Sequence, residues 1–264
     1  MRKFTVIMPF FALIAGLVGF YLRYTELTQV FDHVTGLPQR GAGLSFALIA
    51  LTCAVLLVGI AFAVIVRLRY SSPLGYENAF GTKSVAYPMF FLVVGLTWLA
   101  VTVMHFLEMN ENFQISEAYF SILSALAAVS LSFFAIEIYR DPQSKLRHPL
   151  SLAPSLFMCF WLVLLYRRNA SNPVLLSYAY FCLALISATI AFYLTSGYVF
   201  NKPTPGKTIF FSIAATFFSG VTLADGHSPP IRIIFALIAA INVVHCSLLI
   251  RNLIPNEILK EVLE

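Results

Sequence analysis

The chain has 264 residues, of which 59% are hydrophobic and 11% are charged. Soluble domains are about 45–50% apolar and about 25% charged, and a protein folded in water must cover itself with polar groups. This composition excludes a water-soluble fold. The net charge is +5, and the basic residues lie in short loops between apolar runs. That placement favours contact with anionic lipid headgroups and excludes nucleic acid as a partner.

Eight stretches without Asp, Glu, Lys or Arg follow one another along the chain, each at least 17 residues long. A transmembrane helix needs about 20 mostly apolar residues, and its backbone must be hydrogen-bonded within the segment. We predict an all-α, polytopic transmembrane helix bundle of about eight helices, with six or seven as the alternative. The predicted spans are 4–22, 43–66, 86–107, 118–138, 149–166, 173–197, 208–224 and 231–250, within a membrane domain 1–251 that is followed by a short cytoplasmic tail, 252–264.

The first span and the loop after it combine an apolar run with a polar segment. No A-x-A-like cleavage site follows the run, so we interpret it as a retained helix and not as a signal peptide. The loop contains Glu26, Asp32 and His33, and Thr35-Gly36-Leu37-Pro38 has the composition of a turn. We expect this loop to lie over one mouth of the bundle, with a simple ordered connector as the alternative.

The same loop carries a resemblance. The pattern Leu22-Arg23-x-x-Glu26-Leu27 followed by Phe31-Asp32-x-x-Thr35-Gly36-Leu37-Pro38 resembles multi-helix membrane proteins of anaerobic Gram-positive bacteria, a group without an assigned activity. The resemblance covers about 20 residues after the first helix. It implies a bacterial plasma membrane and suggests Arg23, Glu26 and Asp32 as the first residues to mutate, but it implies no chemistry and no cofactor.

Small residues spaced by four indicate which helices pack closely, because membrane helices gain little from burial of apolar surface against each other. Such pairs occur in the first, fourth, sixth and seventh spans, which we predict to form the centre. The second, third and eighth spans are richer in Leu, Val, Ile and Phe, and we expect them to face lipid. Each of the four cysteines lies in an apolar run, so we expect free thiols.

The distribution of Lys and Arg predicts the orientation. With eight spans both termini lie on one side, and that side receives twelve of the 17 basic residues. The positive-inside rule therefore places both termini in the cytoplasm. The opposite, outer side receives three of the five histidines and six of the twelve acids.

The outer residues are the best candidate site: Glu26, Asp32, His33, His105, Glu108, Asp225 and His227. Imidazole and carboxylate groups can bind a divalent metal, relay protons or act as an acid–base pair. The alternative is that outer loops are polar because they face water, and no strong spacing signature such as H-E-x-x-H occurs. Within the spans, Glu137 is interpreted as a solvated helix end, and His245 as a neutral histidine bonded to a neighbouring helix.

Three functional classes fit these observations. The nearly uncharged interior and the lack of catalytic spacing favour a non-enzymatic assembly partner, sensor or accessory subunit, with the bilayer and other membrane proteins as partners. A small-solute transporter is the second class, although polar groups at the midplane are few. The third is a metal-dependent intramembrane hydrolase, which requires His33, His105 and His227 to converge; the sequence identifies neither metal nor cofactor.

Overall fold

The structure is a computed structural model that describes residues 4–31, 43–108, 115–141, 143–170, 174 and 177–256. Helices dominate these residues, together with two strands of two residues each. In chain order the elements are α1 (Phe4–Gln29), α2 (Gly43–Arg69), β1 (Tyr70–Ser71), α3 (Tyr76–Ala79), α4 (Ala86–Glu108), α5 (Ile115–Arg140), α6 (Arg147–Asn169), α7 (Ala179–Gly197), α8 (Pro205–Thr222), α9 (Pro229–Asn252) and β2 (Ile254–Pro255).

The described helices confirm an all-α, polytopic bundle. Seven of them are long and apolar enough to cross a membrane, so the chain is a multi-pass integral membrane protein. We predicted about eight spans; the described residues form eight long helices, of which α8 is not among the seven. Its 18 residues include several hydroxyl groups, which lower its hydropathy. Because thirteen of the 18 residues are buried, protein and not lipid surrounds most of this helix.

Successive long helices run in opposite directions, which gives the bundle two ends. The Arg23 end holds the last turns of α1, α4, α6 and α8, and the Arg67 end holds the last turns of α2, α5, α7 and α9. Contacts between distant segments fix this arrangement: Arg23 binds Asp225 at one end, and Asn252 donates to the Ala79 carbonyl at the other. The predicted cytoplasmic location of the Arg67 end stays a prediction.

The centre of the bundle is built around α8, which packs against α1, α2, α7 and α9. It lies close to α1, where a Cβ added at Gly220 would be 3.0 Å from the Gly16 Cα atom. In α5 and α7 at least half of the membrane-spanning residues are buried, as predicted from their small residues. The same is true of α9. The expectation that the last helix faces lipid was wrong, because its large side chains pack inward among α1, α4 and α8.

The chain after α9 is attached to the Arg67 end. Ile254 and Pro255 pair with Ser71 and Tyr70 in an antiparallel ladder, and Ser71 Oγ lies 2.7 Å from Asn256 Oδ1. The predicted tail therefore begins as part of the packed domain. Its remainder, 257–264, lies outside the described residues.

Candidate functional site

A buried guanidinium lies at the centre of the Arg23 end. Arg23, near the end of α1, is 0% exposed, and the two carboxylates beside it are nearly as buried. Its Nε donates to Asp225 Oδ1 at 2.9 Å, and its Nη1 donates to Glu26 Oε2 at 2.8 Å. Glu26 follows one turn later on the same helix face, whereas Asp225 comes from the loop between α8 and α9. We call these three residues the Arg23 triad.

Further contacts connect the Arg23 triad to other elements. Arg23 Nη2 donates to the Ser177 carbonyl at 3.3 Å, and Ser45 Oγ of α2 donates to Glu26 Oε1 at 2.6 Å. The guanidinium carbon lies 5.3 Å from the centroid of the Tyr180 ring, within cation–π range. The triad thus joins α1, α2, the segment before α7 and the loop after α8, and it closes this end of the bundle.

The His227 side chain lies next to the Arg23 triad but is not hydrogen-bonded to it, although the His227 backbone amide donates to the Asp225 carbonyl at 2.7 Å. Its Nε2 is 3.9 Å from Asp225 Oδ2, and its ring packs on Phe181 at a centroid distance of 4.4 Å. Burial lowers the pKa of His227 to about 4, assisted by the positive charges of Arg232 and Arg23, so the imidazole is neutral at pH 7. Burial also raises the pKa of the Asp225 carboxyl, while the charge of Arg23 opposes that shift.

His105 belongs to a second polar group at the same end. Its Nε2 lies 3.3 Å from Glu117 Oε2, and Arg168 forms an ion pair with the other oxygen of that carboxylate. The Arg168 side chain is 46% exposed, so this group lies at the protein surface. Glu108, three residues after His105, is exposed at the last position of α4.

The structure thus divides the predicted outer cluster. Glu26, Asp225 and His227 lie together around Arg23, whereas His105 lies with Glu117. Phe120, Trp161 and Phe181 form a row of packed rings that runs from His105 to His227. Asp32 and His33 lie outside the described residues, as does the predicted turn at 35–38.

Metal binding has little support in the described part of the chain. Within it, no three His, Cys, Asp or Glu side chains are grouped so that they could hold a metal ion. The Arg23 guanidinium donates to one oxygen of each carboxylate of the triad, and among the described residues Asp225 Oδ2 has no hydrogen-bond partner.

His245 is a buried polar residue towards the Arg67 end. It is buried in α9, and its Nε2 lies 3.0 Å from the Tyr76 hydroxyl, which lies 2.8 Å from the Tyr87 hydroxyl. His245 Nδ1 has no hydrogen-bond partner among the described residues. Glu137, the other intramembrane candidate, is half-buried in the last turn of α5. His245 therefore contacts a neighbouring helix, as we expected, and that helix is the short α3.

Sequence reasoning overlooked a line of hydroxyl groups along α8. Residues three or four apart share one face of a helix, and the line reaches Asp225. Its helical members are Thr208, Ser212, Thr216, Ser219 and Thr222, all at most 3% exposed. Within the described part of the chain, the hydroxyls of Ser212, Ser219 and Thr222 have no partner. We call this face the α8 hydroxyl line; its regular spacing could have been recognised in the sequence.

Comparisons of the chain with protein-family models, with curated proteins and with solved structures find no significant match in any of the three. The function of this chain must therefore be inferred from the geometry of the two ends of the bundle and of α8.

Proposed function

We propose that this chain is a non-enzymatic membrane protein that acts through contacts with other membrane components, as an assembly partner, sensor or accessory subunit. The observation that carries the proposal is the condition of the Arg23 triad. All three guanidinium nitrogens donate to protein groups, and the three side chains are at most 6% exposed. Charges held in this way stabilise a fold and are not free to bind a substrate.

The lipid-facing surface supports the same proposal. Large apolar side chains are exposed on most of the long helices, including Leu57 of α2, Val93 of α4, Phe133 of α5 and Leu156 of α6. In a bilayer these side chains contact lipid or another transmembrane helix. A partner role requires that one such face be covered by protein in the native membrane.

Site-specific photo-crosslinking in the native membrane tests this proposal. A benzophenone amino acid replaces Leu57, Val93, Phe133 or Leu156, one at a time, in the full chain. We expect crosslinks of one defined mass at one or two neighbouring helices, and crosslinks to lipid alone at the other positions. The matched control uses the same variants purified into liposomes, where the defined product should disappear.

Two outcomes would contradict the proposal. Lipid crosslinks alone at every position would leave no protein partner. A divalent metal bound at one ion per chain and released by His105→Ala would favour the hydrolase instead, and elemental analysis of the purified protein measures it.

The α8 hydroxyl line favours a second candidate, a small-solute transporter. Buried hydroxyls in a membrane protein are commonly placed along helix interfaces or along a solute path. Here they follow one face of the most buried helix, from Thr208 towards Asp225. Transport would require water to reach this face during part of a cycle.

Thiol accessibility separates the two candidates. Ser219→Cys is placed in a chain whose four native cysteines are replaced, with Lys83→Cys at an exposed site as the positive control. A non-transporting partner should protect Cys at 219 from a charged, membrane-impermeant thiol reagent in liposomes. Modification of that position at a rate within about tenfold of the Lys83→Cys rate would favour the transporter.

A further inference from the structure

A groove opens at the Arg67 end, away from the Arg23 triad. It has a volume of about 660 Å³ and lies between the last turns of α2, strand β1 and the first turns of α8. Ile60 and Phe210 form part of its apolar wall, whereas Arg67 and Lys207 lie at the polar rim. A volume in this range is typical of pockets that enclose much of a small ligand. We call it the Arg67 groove.

The walls of the groove are kept close by a glycine. A Cβ atom at position 206 would lie 2.6 Å from the Ala63 carbonyl oxygen, so only glycine permits this approach of α8 to the backbone of α2. This close approach places the first turn of α8 next to Arg67, because a Cβ atom added at position 206 would lie 3.6 Å from the Arg67 Cβ. The start of α8 and the end of α2 therefore share one rim.

The first turn of α8 presents unsatisfied donors at this rim. The first amides of a helix have no acceptor within it, and its N-terminus carries a partial positive charge. Thr204, at the N-cap, makes no side-chain capping hydrogen bond, and within the described residues its buried Oγ1 has no partner. The side chain of the N-cap residue thus leaves the first amides of α8 without a capping acceptor.

Two full positive charges reinforce this partial charge. Arg67 and Lys207 are both exposed, and neither forms an ion pair with another described residue. Among the residues that the structure describes, no Asp or Glu lines the groove. The rim is cationic while the wall below it is apolar, which matches an anionic group attached to a hydrocarbon chain.

We propose that the Arg67 groove binds one anionic glycerophospholipid. Its phosphate lies between Arg67 and Lys207 at the start of α8, and an acyl chain lies along Ile60 and Phe210. A free phosphate ion would use the rim but leave the apolar wall exposed, so the lipid fits the whole groove better. The proposal is independent of the partner role, because the site belongs to this chain alone.

Native mass spectrometry of the full chain tests the proposal, with phosphatidylglycerol and phosphatidylcholine added in turn. We expect the wild-type chain to retain one phosphatidylglycerol in preference to phosphatidylcholine. The double variant Arg67→Gln/Lys207→Gln should lose about 30-fold in affinity for phosphatidylglycerol, at about 1 kcal/mol for each basic residue near the headgroup. Added inorganic phosphate should not displace the lipid.

Two further variants complete the design. Arg69→Gln/Lys202→Gln removes the same charge from exposed positions outside the groove, and it should bind phosphatidylglycerol as the wild type does. Ile60→Trp fills the apolar wall and should weaken binding of the lipid while both cations remain. The proposal fails if the two double variants weaken binding equally, if the wild type shows no preference, or if inorganic phosphate displaces the lipid.

Discussion

The two ends of this bundle use charge in opposite ways. At the Arg23 end, one guanidinium is buried together with two carboxylates and donates a hydrogen bond to each of them. At the Arg67 end, Arg67 and Lys207 are exposed beside an open groove, and no carboxylate of the described part of the chain lines it. In the first arrangement the guanidinium has all its acceptors within the protein, whereas the two cations of the second are available to a ligand.

This difference shows that a charged residue in a membrane protein cannot be assigned a role from its type alone. An ionisable group in a membrane helix is a functional candidate by default, yet Arg23 is better explained as part of the structure. Conversely, the sequence gives no reason to distinguish Arg67 and Lys207 from other basic residues near the membrane surface. Only the groove beside them suggests that they bind a ligand. Substitutions at the two ends should therefore have very different effects on stability.

The largest effect is expected from Arg23→Gln. Removing the cation leaves Glu26 and Asp225 buried without a counter-charge, and breaking a buried ion pair in this way costs about 3–5 kcal/mol. Equilibrium unfolding of the purified chain in detergent measures the change in free energy. Arg69→Gln, at an exposed position, is the control and should change it by no more than about 0.5 kcal/mol. Equal effects of the two substitutions would remove the distinction between the ends.

His227 provides a pH-dependent comparison. Its folded-state pKa of about 4 lies below the ordinary value of 6.5, so the unfolded chain binds a proton that the folded chain does not. Stability should therefore fall as pH decreases from 6.5 towards 4, by a total of about 3 kcal/mol, and stay level above that window. Thermal unfolding across the pH range measures this loss. His227→Phe should flatten the profile; an unchanged slope would show that another group titrates.

The close contact between α1 and α8 involves the last turn of α8, near the Arg23 end, and Gly220→Ala should disturb it. The added Cβ would meet the backbone of Gly16, which cannot rotate away, so we expect a loss of about 1–3 kcal/mol. Gly226→Ala is the matched control, because a Cβ there meets nothing within 4 Å. Denaturant midpoints of the two variants should differ clearly. Equal midpoints would show that α1 and α8 are not in close backbone contact at Gly16 and Gly220.

The smallest effect on stability is expected from Arg67→Gln/Lys207→Gln. Both side chains are exposed and unpaired with other described residues, so the free energy of unfolding in lipid-free detergent should change by no more than about 0.5 kcal/mol. The same variant should lose the extra stability that added phosphatidylglycerol gives the wild type. A large loss of stability without lipid would mean that the Arg67 end, like the Arg23 end, is held by its own charges.

The helical fold could be predicted from the sequence because the bilayer sets the length and composition of each span. The uncharged length of each stretch predicted all eight long helices, and seven of these helices are long and apolar enough to cross a membrane. The contribution of α9 to the core could not be predicted in this way, because large apolar side chains suit lipid and a protein interior equally well. Small residues were a better guide for α8, whose Gly220 contacts Gly16.

The candidate site was predictable only in part. Arg23 and Glu26 are three residues apart on one helix, so the sequence could suggest their pairing. Asp225 is 202 residues from Arg23, and no local pattern connects them. The separation of His227 from His105 could not be predicted for the same reason. It depends on how Trp161 packs between Phe120 and Phe181, which are distant in the sequence.

A double-mutant cycle between Arg23 and Asp225 tests most directly whether the polar residues of this end are structural. Unfolding free energies are measured for the wild type, Arg23→Gln, Asp225→Asn and the double variant, in one detergent. Direct contact between the two side chains predicts a coupling energy of about 2 kcal/mol or more, whereas distant and independent sites add within about 0.5 kcal/mol. Additive losses would contradict the buried triad, and with it the main support for a non-enzymatic role.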